Sequence, residues 1–319
     1  MELVVNKKTN NMPFLSIIIP AYNAAEQIDR CLGSILNSMK QGPQGISVEV
    51  IVVNDGSLDN TAEKVNSYIN DFGGKLFLIN KENNGVSSAR NCGIKNAHGD
   101  YLYFMDADDE MSQSFFCVLL PKLTNNVIDV YIFGFTIVSN KGKSIYYPKA
   151  TSNLLNRYLL GKQKIAIWSI VCKKKFFDEL LFDEDTYYAE DIEVISKVLY
   201  FAKAIEVIKE SLYVYFIDNP SSAMHKKISE KNLTSIDAHR RIYQFLKDNN
   251  SPMEMRKSAK NLMLSRYYLW KKRVSESNDI GLKSRMADYN DLLAVIPPLQ
   301  CNKFFAYSFA CYCKYHYFK

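Results

Sequence analysis

"FLSIIIPAYN", residues 14–23, and "VEVIVVNDGS", residues 48–57, decide the fold of this 319-residue chain. Each opens on a β-branched apolar run too short for a helix and closes on turn residues, the pattern of a strand buried on both faces. Between them, apolar or small residues at Ile28, Cys31, Leu32, Ile35, Leu36 and Met39 mark one face of a helix over residues 24–39. Strand, helix and strand make a parallel crossover unit.

The alternation continues outward. A helix is expected over residues 59–72, a strand at "KLFLI" (75–79), a helix over 86–97 and a strand at "YLYFM" (101–105). The expectation is therefore an α/β chain with a mostly parallel, doubly wound sheet flanked by helices, in which ligands bind beyond the carboxyl ends of the strands. From about Ser229 the pattern turns Lys-rich and helical, interrupted by "NNSP" and "IPP", so a helical C-terminal subdomain (229–319) is expected to follow a larger unit (1–228). The last stretch, "FFAYSFACYCKYHYFK" (304–319), reads as a packing helix or as an interfacial anchor against anionic lipid.

Composition narrows the classes. The chain is 47% hydrophobic and 23% charged, with a formal charge of +6. Its basic residues are dispersed and become denser only after about Lys226, which suits an anionic ligand or a membrane surface better than nucleic acid. Seven cysteines lack metal-type spacing apart from the close pair Cys311 and Cys313, which argues for a reducing compartment without a disulfide framework or zinc site. No leader pattern opens the sequence and no apolar run approaches the roughly 20 residues that span a bilayer, so a soluble or peripherally attached protein is expected.

The residues after each strand carry the chemistry. Pro20 is expected to end the first ladder, with Ala21, Tyr22 and Asn23 at its exit; the Tyr22 ring can stack on a base, or the segment can be a plain turn. Asp55 and Gly56 form a tight turn before a cap at Asp59 or Asn60, and the Asp55 carboxylate can accept the imide N–H of uracil or the corresponding N–H of guanine. Asn84 and Gly85 turn the chain into a helix bearing Arg90, which can bind carboxylates or a diphosphate. The fourth loop, "YLYFMDADDEM" (101–111), crowds carboxylates that repel one another unless a cation sits among them. Asp106 and Asp108, flanking Ala107, suit Mn²⁺ or Mg²⁺, whereas Asp109 and Glu110 read as a solvated turn capping a helix from near Ser112.

Together "SIIIPAYN", "VIVVNDGSLDNT", "ENNGVSSARNCGI" and "YLYFMDADD" resemble the nucleotide-sugar-binding half of family 2 glycosyltransferases, which have the Rossmann-like GT-A fold. The resemblance implies a donor site at Pro20, Ala21, Tyr22, Asn23, Asp55, Asn84, Gly85, Arg90, Asp106 and Ala107, with Asp55 reading the base. It implies a divalent cation on Asp108 and Asp106. The Glu190–Asp191 pair of "YYAEDIEVISKVL" matches the family's acidic pair, Asp191 being the base that deprotonates the acceptor; on bland terms the two merely complement a helix N-terminus. Trp168 is a candidate acceptor-side ring or a core residue, and His225, in a segment that covers the donor in some relatives, a candidate for the metal shell or the diphosphate.

The Q-x-x-R-W signature of processive members is absent, which points to one or few sugars per encounter. The resulting expectation is a metal-dependent inverting transfer from a nucleoside-diphosphate sugar, a UDP-sugar foremost, to a hydroxyl of a glycan or lipid-linked glycan precursor at the cytoplasmic face of a bacterial membrane. Two rivals remain: a sugar-1-phosphate nucleotidyltransferase, whose Gly-rich basic loop "PAYNAAEQI" does not supply, and a non-catalytic glycan-binding protein that keeps the fold.

Overall fold

The computed structural model describes residues 15–43, 47–124, 126–217 and 228–295. The first half follows the periodicity closely: β1 (Leu15–Ala21), α1 (Ile28–Gln41), β2 (Val48–Asp55), α2 (Thr61–Ser67), β3 (Leu76–Lys81), α3 (Val86–Asn96) and β4 (Tyr101–Phe104). β3, β2, β1 and β4 lie side by side in that order and are all parallel. The crossovers after β1 and β2 go one way and the return to β4 goes the other, so the topological switch point lies between β1 and β4.

Pro20 sits inside β1, opposite Val53, and the strand runs on to Ala21. The expectation that it ends the ladder is corrected, and the reason is the direction of its nitrogen. The Ile18 carbonyl accepts from Met105 N at 3.0 Å, so Ile18 faces β4, and Pro20 faces the same way two residues later. The β4 pairing stops at Ile18–Phe104, so no ladder partner is lost and the two strands part there to open a crevice.

Past β4 the sheet becomes mixed. β5 (Glu110–Met111), α4 (Phe115–Leu123), β6 (Val130–Ser139), β7 (Gly142–Tyr146), α5 (Leu154–Leu159), β8 (Ile170–Lys173), α6 (Glu190–Phe201) and β9 (Ile205–Phe216) follow. β8 joins antiparallel to β4, and the sheet continues through β6 and β9 to β5, with β7 paired to β6. Strand alternation divides the core between the two faces. Ile17, Ile19, Val50 and Val52 pack towards α1, while Ile18, Ile51 and Val53 pack towards α3 and α6. Gly93 allows α3 to lie against β1, since a Cβ there would fall 2.3 Å from Ile18 Cγ2.

The Lys-rich remainder forms α7 (Glu230–Asp248), α8 (Met253–Ser275) and α9 (Ile280–Ala287), closed by a 3-10 turn at Asn290–Val295. Leu233, Ile236, Met263, Leu264, Tyr267 and Trp270 pack together with Leu282 and Met286 of α9. Ile242 and Leu246 of α7 instead join the core beneath α5 and α6. No described helix is long and apolar enough to cross a membrane. Residues 304–319 and His225 lie outside the described residues.

Candidate active site

The ends of β1, β2 and β3 form the first wall of the crevice. Register pairs Ala21 with Asn54 and Asp55 with Lys81, so Tyr22, which directly follows the end of β1, leaves the sheet beside the strand end that carries Asp55 and Lys81. Tyr22 is half exposed and Asp55 buried. The Asp55 Oδ1 accepts from Lys81 Nζ at 2.6 Å and Asn84 N at 3.1 Å, and its Oδ2 accepts from Gly85 N at 2.8 Å. One carboxylate thus fixes the loop that carries Asn84 and Gly85 into α3. Gly56, at φ +70°, makes the sharp exit from β2, where any Cβ would meet Asn83 N at 2.7 Å. Asn23, at φ +49°, donates its backbone N–H to Ser57 Oγ and accepts from Leu58 N, stapling the first loop to the second.

The second wall is acidic and is organised by Arg90. Nearly sealed from solvent on α3, its guanidinium donates to Glu190 Oε1 at 2.9 Å and to Asp106 Oδ1 at 3.3 Å, and lies 5.3 Å from the centre of the Phe182 ring. Its neighbour Asn91 bonds both ways with the backbone of Phe182 and donates to Glu184, holding the strap that leads to α6. That strap ends at Ala189, whose φ of +67° is a strained conformation for a residue with a Cβ. Glu190 and Asp191 then open α6. Burial, then the charge of Glu190, pushes the Asp191 carboxyl up to about 7 against the pull of Arg90. A carboxylate poised near neutrality in a cleft has the proton affinity of a general base.

The acidic turn after β4 divides by residue. Burial raises Asp106 above its ordinary value, Arg90 opposes this, and Asp108 adds to it. Asp108 is part-exposed, and its backbone carbonyl accepts from the Arg30 guanidinium of α1, which also lies 3.9 Å from the Phe216 ring centre and 3.5 Å from Glu110. Asp109 is the correction. It is fully buried, not a solvated cap, and accepts from Tyr213 Oη at 2.7 Å and Phe216 N at 2.8 Å. Burial first, then Asp106 and Asp108, pushes it up to about 8. Glu110 likewise belongs to β5 and pairs with Val214, while α4 begins only at Phe115.

Trp168 stands half-buried beneath this turn, stacked at 4.5 Å on Tyr213 and 5.2 Å on Tyr215, with its edge to Phe135. Sequence reasoning missed Lys81, Arg30, Asp109 and the Tyr213–Tyr215 pair. The alternation in "YVYF" was the available signal for the last, since it sends both rings to one face.

Among the described residues no group of three or more His, Cys, Asp or Glu side chains stands ready to hold a metal alone. Asp106 and Asp108 nevertheless fit a hard divalent cation. Mg²⁺ and Mn²⁺ sites commonly use one or two carboxylates completed by substrate phosphates, and the neighbouring Asp109 already registers the negative charge crowded into the turn.

A parallel sheet with its crevice at the switch point, bordered by a D-x-D turn and an acidic pair opening a helix, defines the GT-A class of nucleotide-dependent folds. The family model described as glycosyl transferase family 2 matches residues 16–185, and the chain belongs to that family. It is 31% identical over 223 residues to the uncharacterized glycosyltransferase EpsJ of Bacillus subtilis, covering 66% of this chain and 63% of that one. The chain thus spans less than two thirds of that relative's length. The fold is shared with S. aureus TarS 1–349 solved with UDP-GlcNAc, at a TM-score of 0.69 and 19% identity over 89% of this chain and 82% of that one. It is shared also with the mannosyltransferase PcManGT of Pyrobaculum calidifontis solved with GDP-Man and Mn²⁺, at a TM-score of 0.56 and 16% identity over 96% and 88%.

Proposed function

We propose that this chain transfers one sugar, with inversion, from a nucleoside-diphosphate sugar, a UDP-sugar foremost, to a hydroxyl of a glycan or lipid-linked glycan precursor. The observation that carries the reading is the Asp106–Arg90–Glu190 bridge, which joins the turn suited to donor phosphates to the helix start bearing a carboxylate poised near pH 7. The nucleotide sugars bound to TarS and PcManGT support a donor of this kind.

Asp191 takes the proton of the acceptor hydroxyl as its oxygen forms the bond to the anomeric carbon from the face opposite the leaving group. The bond from that carbon to the phosphate oxygen breaks, and the nucleoside diphosphate leaves with the electron pair. Asp106 and Asp108 would hold Mn²⁺ or Mg²⁺, which when bound offsets the charge on the departing diphosphate. Tyr22 stacks on the base, Asp55 accepts its ring N–H, and Trp168 borders the acceptor side. We assign the helices from residue 229 onward to acceptor, membrane or oligomer contacts, with the whole peripheral on a cytoplasmic membrane face.

Screening UDP-, GDP- and dTDP-sugars for Mn²⁺-dependent hydrolysis or transfer tests the reading; a chain that binds a glycan but turns over no donor is the non-catalytic rival. Flotation with anionic liposomes, with and without residues 301–319, tests the membrane contact.

A further inference from the structure

We infer that Lys81 is the second base-reading residue of the donor site, and that with Asp55 it selects nucleotides whose base presents a ring N–H beside a carbonyl. The inference deepens the proposed function and rests on its reading of Asp55 as the base acceptor.

The pair retains unused hydrogen-bonding capacity. A carboxylate offers about four lone-pair positions and an ammonium three protons. Asp55 spends two positions on Oδ1, to Lys81 Nζ and Asn84 N, and one on Oδ2, to Gly85 N. Lys81 spends one proton on Asp55 and one on the Glu82 carbonyl at 2.6 Å. One acceptor position, on Oδ2, and one donor proton remain on two residues paired across the ends of neighbouring strands.

Their placement suits a base. Tyr22 directly follows Ala21, which pairs with Asn54 next to Asp55, and is half exposed, so a base stacked on that ring can turn an edge towards the Asp55–Lys81 pair. The side chain of Lys81 is itself 18% exposed and that of Asp55 4%, so an edge that reaches the pair meets it largely out of water. Uracil, thymine and guanine present N–H next to C=O, matching acceptor and donor. Cytosine and adenine put a lone pair on the ring nitrogen, facing the carboxylate. Either could match only by sliding one atom along the pair, which a base stacked on Tyr22 and tied through its diphosphate to the acidic turn does not do. A wrong pairing leaves a buried charge unsatisfied, which is where hydrogen-bonded sites gain their discrimination.

The test measures binding by the full chain, by calorimetry with Mn²⁺, of UDP, dTDP, GDP, CDP and ADP. The wild type should bind one of the first three at least roughly tenfold more tightly than CDP and ADP. Lys81→Met should weaken that nucleotide by roughly 10- to 100-fold while changing CDP and ADP less than about twofold, and Lys81→Arg should keep the preference. Equal weakening of all five, or an unchanged preference in Lys81→Met, overturns the inference and leaves the donor reading standing. Wild-type protein that binds none of the five overturns both.

A comparison on the unaltered protein guards against a variant that fails to fold. 2-Thio- and 4-thio-UDP, or 6-thio-GDP if guanine is preferred, replace the carbonyl by a weaker acceptor and keep the ring N–H. One of them should bind several-fold more weakly than its parent, and parity throughout overturns the role given to Lys81.

Discussion

Replacing Arg90 by methionine removes a charge from the centre of the site, together with the guanidinium that lies over Phe182, while keeping an unbranched apolar stem. Two ion pairs are lost, to Glu190 at 2.9 Å and to Asp106 at 3.3 Å. Breaking a buried pair costs about 3–5 kcal/mol, and an exposed one about 0–1 kcal/mol. The Arg90 side chain is 6% exposed but Glu190 is 12% and Asp106 31%, so the stranded carboxylates regain part of their hydration. A loss of about 2–3 kcal/mol follows, or roughly 3–5 °C in Tm for a chain of this length.

The catalytic signature is separate from this loss. Arg90 pulls the Asp191 carboxyl down against burial and Glu190, which together hold it at about 7. Without that pull the proton is held more tightly, the base ionises only at higher pH, and the acid limb of kcat/KM moves upward from near pH 7. The assay is a pH–rate profile of sugar transfer or donor hydrolysis beside a thermal melt, with Arg90→Lys as the control. Lysine keeps the charge but not the fork, so it should return the acid limb towards the wild-type position more fully than it returns Tm. A profile that stays in place while Tm falls would show that Arg90 only supports the fold; no change in either would refute the bridge itself.

Three further outcomes are expected. Asp191→Asn should lower turnover by roughly 10²- to 10⁴-fold with donor affinity nearly intact, and unchanged turnover would remove Asp191 from its role. Asp108→Ala should abolish the Mn²⁺ dependence of nucleotide binding measured by calorimetry; if the parent binds nucleotide equally well in EDTA, the cation assignment fails. Asp109 is raised to about 8 from 3.8, so between those values the folded chain holds a proton that the unfolded chain has released, and stability falls as pH rises through that window. Asp109→Asn should flatten this slope in EDTA melts, where each tenfold difference in proton affinity between folded and unfolded chain is worth about 1.4 kcal/mol, and an equal slope in both proteins would contradict the burial argument.

Much of the fold was legible because β1 to β4 are buried on both faces and their β-branched runs contrast sharply with the helices between them. The candidate site was legible where a strand end could be located: Asp55, Arg90, Asp106 and Asp108 all lie within a few residues of an element boundary. The later sheet was harder. β8 is only four residues long and runs antiparallel to β4, a pairing set by tertiary contacts rather than by local periodicity. Lys81 was hidden for a related reason. On a strand end it looks like any solvated lysine, and only the register that pairs it with Asp55 makes it a candidate.

The acidic knot in "YLYFMDADDEM" shows most clearly where local sequence stops deciding. Charge alone says that three aspartates cannot all stay ionised together without compensation, but it does not say which one yields. Packing decides. Asp106 meets Arg90, whose charge opposes the rise that burial imposes, and Asp108 stays part-exposed on a turn fixed through its carbonyl by Arg30. Asp109 points inward, where Tyr213 and the Phe216 backbone replace water and its two neighbours oppose its ionisation. The same carboxylate therefore ties the acidic turn to the end of β9. Any cation that settles on Asp106 and Asp108 must ease the ionisation of Asp109 and strengthen those two bonds, because the charges opposing it are the ones neutralised. The charge of the acidic turn and the anchoring of the β9 end are thus parts of one electrostatic balance.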